Sequence, residues 1–149
     1  MPARSKRIDY VSSELLAQAA LLTRLLVRQL GGELSRTEGG VLKTLQGGPR
    51  RITELAELEG LAQPTITILI KQLEEQGLVT RTRHSDDGRV VVVSLTESGS
   101  VALEDYRGKL HAVLARHLAE IPDEQVEALA TATETLAQLV DVLQLRPAR

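Results

Sequence analysis

Cysteine, tryptophan and phenylalanine are all missing from this chain of 149 residues, and tyrosine occurs only twice. Without cysteine there is no disulfide, no thiolate nucleophile, no thiol redox sensing and no cysteine-held zinc. With so few aromatics the core has to be assembled from Leu, Val, Ile and Ala, and apolar residues still make up 42% of the sequence. No apolar run approaches the ~20 residues that a membrane span needs. The stretch Met-Pro-Ala-Arg-Ser-Lys-Arg at the start is basic, but the apolar core of a secretory leader does not follow it. A cytoplasmic chain is expected. Nucleophile elbow, Walker loop, dinucleotide fingerprint and His–carboxylate metal motif are also missing, so no catalytic residue and no cofactor is expected. The histidines add no metal site: His84 lies in a turn, and the six-residue spacing of His111 and His117 does not bring two ligands to one helix face.

What is present is a regular alternation of helical patterns and turn signals. Ile8, Val11, Leu15, Ala19, Leu22, Leu26 and Leu30 recur at helical spacing, predicting a helix over residues 8–30 that Gly31-Gly32 ends. Ser35-Arg36-Thr37-Glu38 has the form of a capping box. It opens a second, shorter helix through Val41, Leu42 and Leu45, closed by Gly47-Gly48-Pro49. Arg51-Ile52 reads as a short strand, Thr53 to Glu59 as a helix ended by Gly60, and Gln63 to Gln76 as another, with Gly77 at its left-handed end. Val79–Arg83 and Arg89–Leu95 read as two strands around an Asp-Gly turn. Thr96 then caps a long helix from Glu97 to about Ala119, and after Pro122 a last helix opens on Asp123-Glu124.

The order helix, turn, helix, hairpin over residues 34–96 defines a winged helix, so the fold class is mainly α (α+β). Such a lobe suits a protein that lays one helix in a DNA major groove and a basic hairpin beside the neighbouring minor groove. On the Gln63–Gln76 helix, Ile66, Leu69, Ile70 and Leu73 share one face and should turn inward. Gln63, Pro64, Thr67, Ile68, Lys71 and Gln72 then face outward. Gln63 can pair with adenine, Thr67 and Ile68 can touch thymine methyls, and Lys71 can reach phosphate or guanine. Thr65 stands at the helix N-terminus, where backbone N–H groups favour phosphate. Arg81, Arg83 and Arg89 put three guanidiniums on the hairpin, and Asp87, two residues before Arg89 with Gly88 between, can brace it by bidentate bonds. A narrow minor groove is where such an arginine is best placed. A winged helix that engages a protein rather than DNA is the competing reading.

Charge is uneven. The net charge is −2, but residues 97–145 carry nine acids against three bases, while residues 1–96 carry thirteen bases against eleven acids. An acidic C-terminal part repels phosphate, so a DNA-reading face belongs to the earlier part. In the last helix Val126, Leu129, Thr133, Leu136, Val140 and Leu143 follow alternating spacings of three and four, a narrow seam of coiled-coil type. The seam serves either packing within the chain or a subunit contact. Together with Ile8, Val11 and Leu15 of the first helix it suits a dimer, which a two-fold symmetric reader of two half-sites requires.

Leu55-Ala56-Glu57, Gln63-Pro64-Thr65-Ile66-Thr67, Leu73-Glu74-Glu75-Gln76-Gly77-Leu78-Val79, Asp87-Gly88-Arg89 and Val93-Ser94-Leu95-Thr96-Glu97-Ser98-Gly99 together resemble the MarR family of bacterial transcriptional regulators. The resemblance in layout runs over nearly the whole chain. It implies a homodimer joined through helices 8–30 and 97–145, each subunit placing its winged helix on a pseudo-palindromic duplex. It implies repression relieved by a small aromatic or phenolic ligand seated between the dimer helices and the DNA-reading lobe. It carries Asp87 and Arg89 onto the family's wing pair and Gln63 to Lys71 onto its recognition helix. Three departures stand out: Ala62 where a Ser or Thr N-cap is common, Ile68 where a basic residue is frequent, and Ile121 where a cap is usual. Near the implied crevice Tyr10, Gly39 and Gly40 are the unusual residues; the paired glycines allow either close helix approach or ligand access.

Overall fold

A computed structural model describes residues 2–32, 34–83, 86 and 88–145. Among these described residues six helices and three short strands follow in the order α1 (Pro2–Leu30), α2 (Arg36–Gln46), β1 (Arg50–Arg51), α3 (Ile52–Glu59), α4 (Gln63–Glu75), β2 (Val79–Arg83), β3 (Val91–Leu95), α5 (Glu97–Leu118) and α6 (Asp123–Gln144). None of these helices is long and apolar enough to cross a membrane. The chain divides into two compact units, residues 1–111 and 112–149.

The first unit is built around aliphatic side chains from α2, α3, α4, the sheet and the start of α5. Val41, Leu42, Leu55, Ile66, Ile70, Leu73 and Val93 are fully enclosed, joined by Leu34, Leu45, Val79 and Leu103. Tyr106 is half-buried against this cluster and is the one aromatic ring in it. The local signals explain the element ends. Ser35 Oγ accepts the Glu38 N–H at 3.1 Å while the Ser35 N–H donates to Glu38 Oε2 at 2.6 Å, the reciprocal pair of a capping box. Gly77 takes φ +76°, the left-handed conformation that turns the chain sharply from α4 into β2.

The sheet is antiparallel with strand order β1-β3-β2. Arg81 stands opposite Val93 and Arg83 opposite Val91, while Arg50 pairs across to Val93 from the other side. β2 is therefore an edge strand, and only its first residue, Val79, is buried. Several boundaries differ from the sequence reading, β1 by starting at Arg50 and α4 by ending at Glu75 among them. α1 begins at Pro2 rather than Ile8, Ile52 opens α3 instead of ending a strand, and β3 starts at Val91 rather than Arg89. At Ile52 the reason is local: the Arg51 N–H reaches Glu54 Oε1 at 3.4 Å, so Arg51 acts as the backbone N-cap of a helix.

In the second unit α6 stands with its aliphatic residues open. Leu129, Leu139, Val140 and Leu143 are about half exposed, and Val126 is half-buried. α6 carries five acids and no base. Along α1, Ile8, Val11, Leu22 and Leu25 are likewise about half exposed, and Leu15 is half-buried.

Candidate nucleic-acid interface

The periodicity of α4 sorts its side chains cleanly. Ile66, Ile70 and Leu73 are at 0% exposure and fix the helix onto the core, which forces Gln63, Pro64, Thr65, Thr67, Ile68 and Lys71 outward. Ile68 is 61% exposed, an aliphatic side chain held in water with no packing reason to be there. The Thr67 hydroxyl donates to the Gln63 carbonyl at 2.9 Å, so its hydrogen is spent on the helix itself. At the N-terminus Ala62 supplies no side-chain cap, and the Thr65 N–H is taken by the Ala62 carbonyl at 3.0 Å. That leaves the Thr65 hydroxyl, rather than its N–H, as the group able to meet a base edge or a phosphate.

Next to this face the chain forms a cleft of about 500 Å³ lined by Arg51, Ile52, Thr53, Gln63, Thr67, Arg81, Arg89, Val90 and Val91. It brings together parts of three elements: the start of α3, the N-terminal turn of α4 and the root of the hairpin. Of the residues singled out in the sequence, Gln63, Thr67, Arg81 and Arg89 meet here. Thr65, Ile68 and Lys71 lie on the exposed face of α4, and Arg83 is exposed on β2, beside Glu74 and Thr82. Gly88 is exposed in the turn. Asp87, the expected brace of Arg89, lies outside the described residues.

Arg81 is engaged more closely than the sequence reading foresaw. Its Nε and Nη2 donate to Glu74 Oε1 at 3.0 and 2.8 Å, and its backbone N–H donates to Glu74 Oε2 at 3.0 Å. The side-chain hydrogen bond from Arg81 holds the Glu74 carboxyl below its ordinary range, and the same bond raises Arg81.

Arg51 and Thr53 were not singled out in the sequence, and neither was Glu74. The Arg50-Arg51 pair after Pro49 was a readable signal for a cationic edge. Arg50 folds back on the Pro49 carbonyl at 3.1 Å, while Arg51 reaches the cleft with Glu54 Oε1 3.8 Å from its Nε.

A second cavity, of about 360 Å³, is lined by Leu30, Gly31, Gly32, Leu34, Gln76, Leu78, Ala102, Asp105, Tyr106 and Lys109. Lys109 Nζ stands 2.7 Å from Asp105 Oδ2 at its rim. Burial raises the Tyr106 phenol above its ordinary value, with the nearby Arg36 charge opposing. Tyr10, Gly39 and Gly40 do not line this cavity. Tyr10 is 67% exposed on α1. A Cβ on Gly39 would lie 2.7 Å from Tyr106 Cε1, and one on Gly40 would lie 2.9 Å from Glu59 Oε2. A side chain at Gly39 would thus collide with the Tyr106 ring, whereas one at Gly40 would meet the flexible end of Glu59. Tyr106 itself was signalled by its rarity and by its spacing from Ala102 and Lys109 on one face of α5.

The model of the MarR family matches residues 34–91, from the loop before α2 to the first residue of β3. Over 127 residues the chain is 32% identical to the uncharacterised HTH-type transcriptional regulator Mb0904 of Mycobacterium bovis, covering 85% of this chain and 89% of that one. It is 30% identical over 94 residues to the HTH-type transcriptional repressor MdtR of Bacillus subtilis, covering 63% of this chain and 61% of that repressor's length. A MarR family protein from Bacillus stearothermophilus has the same fold, with a TM-score of 0.68 and 26% identity, over 92% of this chain and 97% of the other.

Proposed function

The chain belongs to the MarR family of HTH-type transcriptional regulators, and we propose that it is a cytoplasmic homodimer that reads a pseudo-palindromic operator in duplex DNA. One observation carries this reading: α4 presents an exposed face of polar and aliphatic side chains whose N-terminal turn shares a cleft with Arg51 and Arg89. Gln63, Thr65, Thr67 and Ile68 contact base edges, with the methyls of Thr67 and Ile68 favouring thymine. Lys71, Arg83 and Arg51 bind phosphate, which positions the lobe without reading sequence. Arg89, braced by Asp87 across Gly88, enters the minor groove.

The homodimer is supported by the exposed aliphatic stripes of α1 and α6. Ile8, Val11 and Leu15 on one helix, and Val126, Leu129, Leu136, Val140 and Leu143 on the other, are covered by the second subunit. A stripe of that kind left in water is costly, and a two-fold dimer brings two reading helices to successive turns of the duplex. Repression is relieved when a small aromatic or phenolic ligand occupies the cavity beside Tyr106. Its wall combines a phenol, the aliphatic Leu30, Leu34 and Leu78, Gln76 and the Lys109–Asp105 pair, so that apolar and polar groups share one open cavity.

The test is fluorescence anisotropy on duplexes tiled across the DNA upstream of the gene, at several salt concentrations and with scrambled competitor. Saturable binding to one pseudo-palindromic tile that weakens with salt and survives competitor supports an operator-reading dimer. Binding no tighter than to scrambled duplex, both on these tiles and in a genome-wide fragment selection, turns the reading toward a protein partner.

A further inference from the structure

β2 lies at the edge of the sheet, and an edge strand leaves alternate N–H groups without a strand to receive them. At Arg81 that outward N–H is met by Glu74 from the last full turn of α4, and the same carboxylate also takes two donors from the Arg81 side chain. One carboxylate thus holds three donors of a single residue, binding the strand both by its main chain and by its fork. The two side chains are about one-third exposed, at 33% and 35%, so the pair lies at the surface without being loose in solvent.

We infer that Arg81 is a positioning residue, not a DNA ligand, and that the Glu74–Arg81 tether sets the angle between the recognition helix and the wing. This rests on the DNA-reading function proposed above. The covalent path from α4 to β2 passes through the left-handed turn at Gly77, a single hinge. A strand advances about 3.3 Å per residue, so a swing of ~20° at Arg81 shifts the backbone of Arg83, two residues further on, by about 2 Å. A displacement of that size takes a guanidinium out of hydrogen-bond reach of a groove floor or a phosphate. The tether fixes the wing before DNA arrives, so less freedom is lost on binding. It also withdraws one cation from the phosphate-binding set, because a guanidinium with two of its nitrogens on a carboxylate is already neutralised.

The variants that decide are Arg81→Lys, Arg81→Ala, Glu74→Asp and the double variant Glu74→Asp with Arg81→Ala. Arg81→Lys keeps a phosphate-seeking cation but loses the fork. Glu74→Asp keeps the charge but is one methylene too short to hold both the side chain and the N–H. The readouts are affinity for the selected operator, the slope of log affinity against log salt, and deuterium exchange of the Arg81 amide in the free protein. For a tether, each single variant weakens binding by a similar factor, about tenfold, and the double variant is no weaker than either. The salt slope stays that of the parent, and the Arg81 amide exchanges faster in Glu74→Asp. The proposal is overturned if Arg81→Ala lowers the slope by about 1 per subunit while Arg81→Lys and Glu74→Asp bind like the parent. Should the parent bind no duplex, the DNA-reading function fails by itself. The tether is then judged by amide exchange, and unchanged protection at Arg81 in Glu74→Asp overturns it.

Discussion

Replacing Gly39 with Ala should destabilise the protein, against the usual rule for a glycine inside a helix. Gly39 lies in the second turn of α2, with no left-handed φ to protect, so the helix itself gains about 0.8–1.0 kcal/mol from Ala. The new Cβ would stand 2.7 Å from Tyr106 Cε1, closer than carbon atoms approach, and Tyr106 is held against the core by α5. Forcing an extra methyl into a filled site costs about 1–3 kcal/mol. The net effect is a loss of about 0–2 kcal/mol. The sign should reverse in a Tyr106→Leu background, where the ring edge is gone and the helix gain of about 1 kcal/mol is left. Gly40→Ala is the internal contrast. Its Cβ meets the carboxylate end of Glu59, a flexible tip that can swing aside. The swing gives up the 2.8 Å bond from Thr44 Oγ1 to Glu59, so gain and loss nearly cancel. The assay is urea unfolding followed by far-ultraviolet ellipticity, all variants at one protein concentration because a dimer links stability to mass action. Equal stabilisation by Gly39→Ala in the parent and in the Tyr106→Leu background would refute close packing as the reason for this glycine.

Leu136→Glu adds a carboxylate to an exposed stripe on a helix that already carries five acids and no base, and should convert a sedimenting dimer to monomer; an unchanged sedimentation coefficient would exclude α6 from the interface. Arg89→Ala should weaken operator binding and reduce the preference for A·T flanks, and titration against flank-swapped duplexes checks both. Ile68→Lys should strengthen binding to scrambled DNA and steepen the salt slope by about 1 per subunit, with a smaller margin between operator and scrambled duplex. In a Tyr10→Phe variant, which leaves one tyrosine, absorbance titration should find Tyr106 ionising above the ordinary phenol value of about 10. Because the folded value is the raised one, its contribution to stability is complete below about pH 10 and is lost as pH rises through the folded value. A midpoint no higher in the folded than in the urea-unfolded protein would contradict this.

Most helices were legible because burial writes a period of 3.6 into the sequence and caps punctuate it. Ser35 and Glu38 announced α2, and Gly77 the end of α4. The first turns of α1 were not, because Arg4, Ser5, Lys6 and Arg7 carry no apolar stripe for a periodicity to find, although Pro2 is well suited to a first helical position. Ile52 misled because a β-branched residue beside Arg51 looks like a strand, while the Glu54 that reaches back to the Arg51 N–H signals a helix start. At the site, the outward face of α4 followed from the inward one. The tether did not, since Glu74 and Arg81 belong to different elements and meet only through the turn between them. Gly39 and Gly40 could be seen as anomalies, but their cause, Tyr106 for one and Glu59 for the other, is set by tertiary packing.

The same contacts bear on how a chain of net charge −2 can hold DNA at all. Affinity depends on the cations that reach phosphate, not on the sum over the chain, and the excess of acids over bases lies after residue 96. On the reading lobe, however, Glu74 takes Arg81 out of the supply, and Ile68 occupies a place where this family often has a base. Lys71, Arg83 and Arg51 are the cations proposed to meet phosphate, three per chain and six per dimer. At about 0.9 per neutralised phosphate, six contacts correspond to a salt slope of about −5, and eight, with Arg81 counted in, to about −7. The weaker phosphate term shifts the weight of recognition onto the bases that Gln63, Thr67 and Ile68 touch. A chain of this kind should bind random duplex feebly and depend on its operator sequence more than a cation-rich relative would. Measured slopes near −7 with high affinity for random DNA would mean that the reading face is more basic than its contacts imply, and that Arg81 serves it.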